Sequence, residues 1–119
     1  MEFSEIIQYL AILEERNWAD ARQYCINLGR RLVEVRTQED YDQALTLRLE
    51  FDEAYYLGGT DILDNDAWVW DSNGESINTT QFWAESQPSS SAENCIMMAY
   101  GGFHDLPCWQ LRPFVCELI

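Results

Sequence analysis

Of 119 residues, 47% are hydrophobic, and 7 basic residues face 21 acidic ones for a formal net charge of −14. That is chain enough for one buried core, so a single domain over residues 1–119 is expected. The charge excludes the basic footprint that nucleic acids and anionic membranes require, and the longest apolar stretch, Ile6 to Leu13, is broken by Gln8 and too short to span a bilayer.

The chain opens on Met1-Glu2-Phe3-Ser4-Glu5, acidic where a secretory leader is basic, which leaves a mature secreted chain or a cytosolic one. Glu5 to Leu13 reads as a first strand. Asn17, with Asp20 three residues on, reads as a helix N-cap; Trp18, Ala21, Cys25 and Leu28 then recur at helical spacing, and Gly29 ends the helix. Leu32, Val33 and Val35 suggest a short strand. Thr37 and Asp40 open a second helix whose apolar face carries Tyr41, Ala44, Leu45 and Leu49. Short strand-like runs follow at Tyr55-Tyr56-Leu57, Trp68-Val69-Trp70, Cys95 to Met98 and Phe114-Val115-Cys116, with a turn at Asn73-Gly74. Helices early and strands late predict an α+β domain. Residues 71–93 read mostly as loop, and a loop that long in a small domain points to the ligand. Trp18, Trp68 and Trp70 sit in periodic elements and read as core.

Cys25, Cys95, Cys108 and Cys116 form an even set without a Cys-x-x-Cys pair, which speaks against zinc ribbons and thioredoxin-like chemistry. Three disulfide connectivities are open. Disulfides need an oxidising compartment, so the secreted alternative is favoured. His104 is the single histidine, and no nucleophile elbow or phosphate-cradling glycine loop occurs. Binding is expected, not catalysis.

From Asn17 to Glu117 the chain resembles the C-type lectin-like domain. The resemblance rests on Asn17-Trp18-Ala19-Asp20-Ala21 leading to Cys25 and Gly29, on Leu32-Val33-Glu34-Val35, and on Tyr56-Leu57-Gly58-Gly59. It continues through Trp68-Val69-Trp70-Asp71, Phe82-Trp83, Glu93-Asn94-Cys95 and Phe114-Val115-Cys116-Glu117. It implies the C-type lectin-like fold, with two helices, small antiparallel sheets and a long loop region, in its short four-cysteine form. The implied disulfides are Cys25–Cys116 and Cys95–Cys108.

The resemblance also implies a calcium-dependent lectin. The family's calcium-binding tripeptide falls on Gln87-Pro88-Ser89, with Pro88 cis; its acidic ligand falls on Glu93 and its Trp-Asn-Asp motif on Phe103-His104-Asp105. Gln87, Ser89, Glu93 and Asp105 would hold the calcium, which takes hard oxygens. Ser89 and His104 depart from the pattern, the first as a weaker ligand and the second as a nitrogen donor. Zinc on His104, Asp105 and Glu93 is a lesser alternative. An auxiliary site would use Asp61 and Glu93, but Asn65, Ser90 and Asn94 replace carboxylates there, so Asp61, Asp64 and Asp66 read as a solvated loop. Sugar would meet Gln87, Ser89, Glu93, His104 and Asp105, with Tyr100, Phe103 and Trp109 flanking. A glutamine-first tripeptide implies a galactose-type glycan. Asn78-Thr79-Thr80 is a glycosylation sequon. The partners expected are cell-surface glycans and a second copy of the chain, through the apolar segment Phe3 to Leu13. The alternative is a calcium-independent domain that binds a protein surface.

Overall fold

Nine elements follow one another in the computed structural model, which describes residues 8–62, 67–77, 81–89 and 92–119. Strand β1 (Tyr9–Arg16) leads to helix α1 (Trp18–Asn27), β2 (Arg31–Leu32) and helix α2 (Gln38–Phe51). Then come β3 (Tyr55–Thr60), β4 (Val69–Trp70), β5 (Cys95–Ala99), β6 (Gly102–Leu106) and β7 (Arg112–Glu117). The strands join in one sheet of order β1-β7-β3-β5-β6, with β2 on β7 and β4 on β3. All pairings are antiparallel except β3 beside β7, where Tyr56 faces Phe114.

Both helix starts form as the sequence predicts. The Asn17 side chain accepts the Asp20 N–H at 2.9 Å. Thr37 and Asp40 make a reciprocal capping box, with the Asp40 N–H donating to Thr37 Oγ1 at 3.0 Å. The central strands are apolar without interruption because the sheet is covered on both faces. Tyr56, Cys95, Phe114 and Cys116 pack with Trp18, Ala21 and Cys25 of α1. The alternate residues Tyr55, Leu57, Ile96, Met98 and Val115 pack with Ala44 of α2. Trp18 and Trp70 are buried and Trp68 is half-buried, all within this core.

The disulfides are Cys25–Cys116 and Cys95–Cys108. The first ties α1 to β7 across 91 residues and the second spans 13. In the loop-entropy model they contribute roughly 4.5 and roughly 3 kcal/mol. Gly59 stands where a side chain has no room: a Cβ there would lie 2.6 Å from Ile96 Cδ1 and 2.8 Å from Ile77 Cδ1.

Four local expectations are corrected. Leu28 is not on the buried stripe of α1; it closes the helix with its N–H on the Cys25 carbonyl and is exposed, ahead of Gly29 at φ +72°. Leu49 is 65% exposed, because the apolar face of α2 runs from Tyr41, Ala44 and Leu45 to Leu47 and Phe51. Val33 and Val35 are buried but lie outside β2; Val33 threads between two strands, donating to the Val115 carbonyl and accepting from Gly58 N–H. Strand β6 goes unpredicted, since Gly102–Leu106 holds a glycine, a histidine and an aspartate and lacks strand propensity.

Candidate functional site

The site is built on the outer edge of β6, where the long loop runs beside the strand. Phe103 N–H donates to the Phe82 carbonyl at 2.8 Å and Ala84 N–H to the Phe103 carbonyl at 3.0 Å, so Phe82 to Ala84 lies parallel to β6. The approach requires Gly102: at φ +129° it holds a conformation that favours glycine, and a Cβ there would lie 2.5 Å from the Phe82 carbonyl oxygen. Phe103, completely buried, anchors the join; its ring centroid lies 5.8 Å from that of Trp83 and 6.2 Å from that of Trp70. Beyond Ala84 the loop turns through Ser86 at φ +67° and the cis Gln87–Pro88 bond, as the resemblance implies for Pro88.

This turn brings Gln87 and Ser89 to Asp105. Asp105 N–H donates to Gln87 Oε1 at 3.2 Å. Ser89 N–H donates to Asp105 Oδ2 at 2.8 Å, and Ser89 Oγ–H to Oδ1 at 2.9 Å. Asp105 is buried at 4% exposure. Glu93 joins electrostatically: burial, and then the neighbouring charge of Asp105, hold its carboxyl above the ordinary range. The group is therefore two carboxylates, one amide and one hydroxyl. A cation beside it would offset the repulsion between Glu93 and Asp105.

Asp61, expected in a solvated loop, is 2% exposed. Its Oδ1 accepts from Asn94 Nδ2 at 2.7 Å, while its own N–H donates to the Asn94 carbonyl at 3.1 Å. An amide at position 94 satisfies the buried carboxylate and fixes the chain next to Glu93. In the sequence Asn94 stands as part of the Glu93-Asn94-Cys95 run and as a replaced carboxylate; its pairing with Asp61 is seen only in the structure. Asp64, Asp66, Asn65, Ser90 and the sequon Asn78-Thr79-Thr80 lie outside the described residues.

His104 is not brought to the group. It pairs with Met97 in the register while Asp105 pairs with Ile96, so the two side chains leave β6 on opposite faces. The His104 ring instead sits 3.1 Å, through Nε2, from the Tyr100 carbonyl. Zinc on His104, Asp105 and Glu93 is thereby excluded as a set. Phe103, expected to flank the sugar, is core. Tyr100 and Trp109 are 83% and 74% exposed, but Tyr100 precedes β6 and Trp109 follows it. Five residues of strand span about 14 Å, so one sugar ring at Asp105 cannot stack on both.

Among the described residues, no three His, Cys, Asp or Glu side chains are grouped to hold a metal. A calcium site would draw half its donors from Gln87 and Ser89. Calcium accepts such neutral oxygens, and the clustering of hard oxygens around buried Asp105 fits it in donor chemistry.

The family model described as "Lectin C-type domain" matches residues 14–118. The C-type lectin mosGCTL-7 of Aedes aegypti is 29% identical over 115 residues, covering 85% of this chain and 76% of that protein. The lactose-binding lectin l-2 of Anguilla japonica is 25% identical over 118 residues, covering 92% and 70%. The chain spans about half the length of the mammalian curated relatives it matches. Among solved structures, the C-type lectin TC14 of the tunicate Polyandrocarpa misakiensis superposes with a TM-score of 0.84 at 25% identity, covering 94% of this chain and 97% of that one.

Proposed function

Because the chain belongs to the C-type lectin domain family, whose members bind carbohydrate or protein and are not enzymes, we propose that it is a calcium-dependent lectin for galactose-type glycans of cell surfaces. The observation that carries this reading is the gathering of Gln87 and Ser89 on buried Asp105, with Glu93 in electrostatic reach. Gln87, Ser89, Glu93 and Asp105 would hold the ion. Bound calcium would supply coordination positions for two neighbouring sugar hydroxyls. Gln87 accepts the Asp105 N–H through its oxygen and keeps an amide nitrogen to donate to a sugar hydroxyl; Asp105 and Glu93 accept. The lactose-binding name of the eel relative supports galactose-type chemistry.

The reading includes secretion, supported by the two disulfides. It also includes a single domain over residues 1–119 and a pairing of two copies, since one shallow sugar site binds only in the millimolar range, about −4 kcal/mol, and cell-surface recognition then needs several sites.

The test is thermal unfolding of the chain in calcium and in chelator, with and without galactose. A ligand of the native state raises stability by about 2.7 kcal/mol at a hundredfold excess over Kd. One observation favours a second reading: Ser89, a weaker ligand than an amide or a carboxylate, turns both its N–H and its hydroxyl onto the Asp105 oxygens. A melting curve that millimolar calcium does not move would select that reading, a calcium-independent domain for a protein surface.

A further inference from the structure

All seven basic residues of the chain are arginines, and two of them face each other. Arg16 of β1 and Arg112 of β7 are directly opposed in the strand register. Opposed residues of an antiparallel pair lie about 5 Å apart at Cα, with their side chains on one face. Here it is the face that α1 covers. Phe114, two positions from Arg112, meets Tyr24 of α1 edge-on at 5.4 Å, and the Arg16 guanidinium lies 5.2 Å from the centroid of the same tyrosine ring.

Like charges directly opposite each other destabilise a sheet. Other arginines are matched to acids, Arg22 to Asp71 at 2.7 Å and Arg31 to Glu117 at 2.9 Å. The opposed pair is not. Among the described residues Arg112 makes no salt bridge, and its Nη2 donates to the Gln110 side-chain oxygen at 3.4 Å. The acid at the pair is Glu14, whose Oε2 lies 3.1 Å from Arg16 Nη2, and Glu14 is exposed to competing ligands. The Nε–H of both arginines is buried and has no hydrogen-bond partner among the described residues, so a ligand would be met through the Nη groups.

We propose that Arg16 and Arg112 form a site for a single oxyanion, the sulfate ester of a glycan, which takes the place of Glu14 on the arginines. A net charge of −14 repels polyanions, so two arginines suit one isolated anionic group. A tetrahedral sulfate has oxygens for two guanidinium forks on opposed strands, whereas one fork uses both oxygens of a carboxylate. A phosphate monoester would bring a charge of about −1.5 to −2 to this acidic chain, and a sulfate ester brings a single charge. The anion would also offset the repulsion between the arginines. None of these residues belongs to the calcium reading, and the site needs no calcium.

The experiment follows the arginine Nε–H resonances of the full chain by NMR, in chelator at low salt, against galactose 6-sulfate, inorganic sulfate and galactose. Galactose 6-sulfate is expected to move the Arg16 and Arg112 resonances together and to saturate them, while galactose leaves them in place. Inorganic sulfate should act on the same two more weakly; equal affinity would overturn the glycan as carrier of the anion. Arg16→Gln is expected to weaken binding roughly tenfold, the worth of one charge-assisted hydrogen bond. It should not lower the melting temperature, because one of two opposed charges is gone. Glu14→Gln, at an exposed position, should tighten binding about twofold by removing a tethered competitor. A purely structural arginine pair gives no such gain. Shifts that spread over all seven arginines without saturating overturn the proposal, as does a Glu14→Gln chain that binds no more tightly. The chelator keeps the calcium site out of the test, so that reading stands or falls on galactose titration in calcium.

Discussion

Ser89 directs both of its donors at a single carboxylate, its N–H to Asp105 Oδ2 at 2.8 Å and its hydroxyl to Oδ1 at 2.9 Å. The pair joins the long loop to β6. It also gives the aspartate, buried at 4% exposure, hydrogen bonds to both of its carboxylate oxygens. Ser89→Ala is expected to cost about 1 kcal/mol of stability, the worth of one hydrogen bond. Asp105→Ala strands two donors and should cost about 1–3 kcal/mol. Urea unfolding measures both. Galactose titration in calcium should show binding lost in Asp105→Ala and in Glu93→Gln, since each removes one of only two carboxylates.

Sugar class is predicted to rest on Gln87. Galactose or N-acetylgalactosamine should be preferred over mannose on a glycan array in calcium. Gln87→Glu exchanges a side chain that can donate for one that only accepts. The variant should lose galactose affinity by about fivefold, equivalent to one hydrogen bond of about 1 kcal/mol. An array bright only for mannose-rich glycans would show that Gln87 does not set the preference.

Gly102→Ala is expected to act on the site from a distance. Its Cβ would press on the Phe82 carbonyl, a backbone atom that cannot rotate away, at a φ that alanine rarely adopts. The predicted loss is about 1–3 kcal/mol. Because the strain falls where the loop joins β6, galactose affinity should fall with it. Stability lost with affinity unchanged would show that Phe82 to Ala84 does not position Gln87 and Ser89.

The stability of the chain should carry a signature of Glu117. Burial holds its carboxyl above the ordinary range, although Glu34 N–H donates to it at 3.0 Å and Arg31 pairs with it at 2.9 Å. Between the unfolded pKa, near 4.5, and the raised folded one, the folded state binds more protons. The contribution of Glu117 is therefore fully present below the unfolded value and is lost as pH rises through the folded value. Glu117→Gln cannot titrate. The stability of wild type minus variant should fall as pH rises from about 4 to 7 in a series of urea unfolding curves. A difference that grows with pH would reverse the sign.

The sequence by itself determined the helices, their caps and the family of the fold. Asn17 and Thr37 cap through contacts three residues away, and the Tyr56 to Gly59 run and the four cysteines are motifs by which the chain resembles its family. Only the tertiary structure decided what lies across the sheet. Alternation belongs to any strand, but the register of β6 on β5 decided which face each residue takes, setting Asp105 opposite Ile96 and His104 opposite Met97. Asp61 became a buried, amide-paired residue because its partner, Asn94, is 33 positions away. Val33 lies outside β2, and its backbone partners, Val115 of β7 and Gly58 of β3, are far from it in the chain. Local chemistry fixes caps and turns through neighbours in the chain. Burial, face and register depend on partners tens of residues apart, and one position of register moves every side chain to the opposite face.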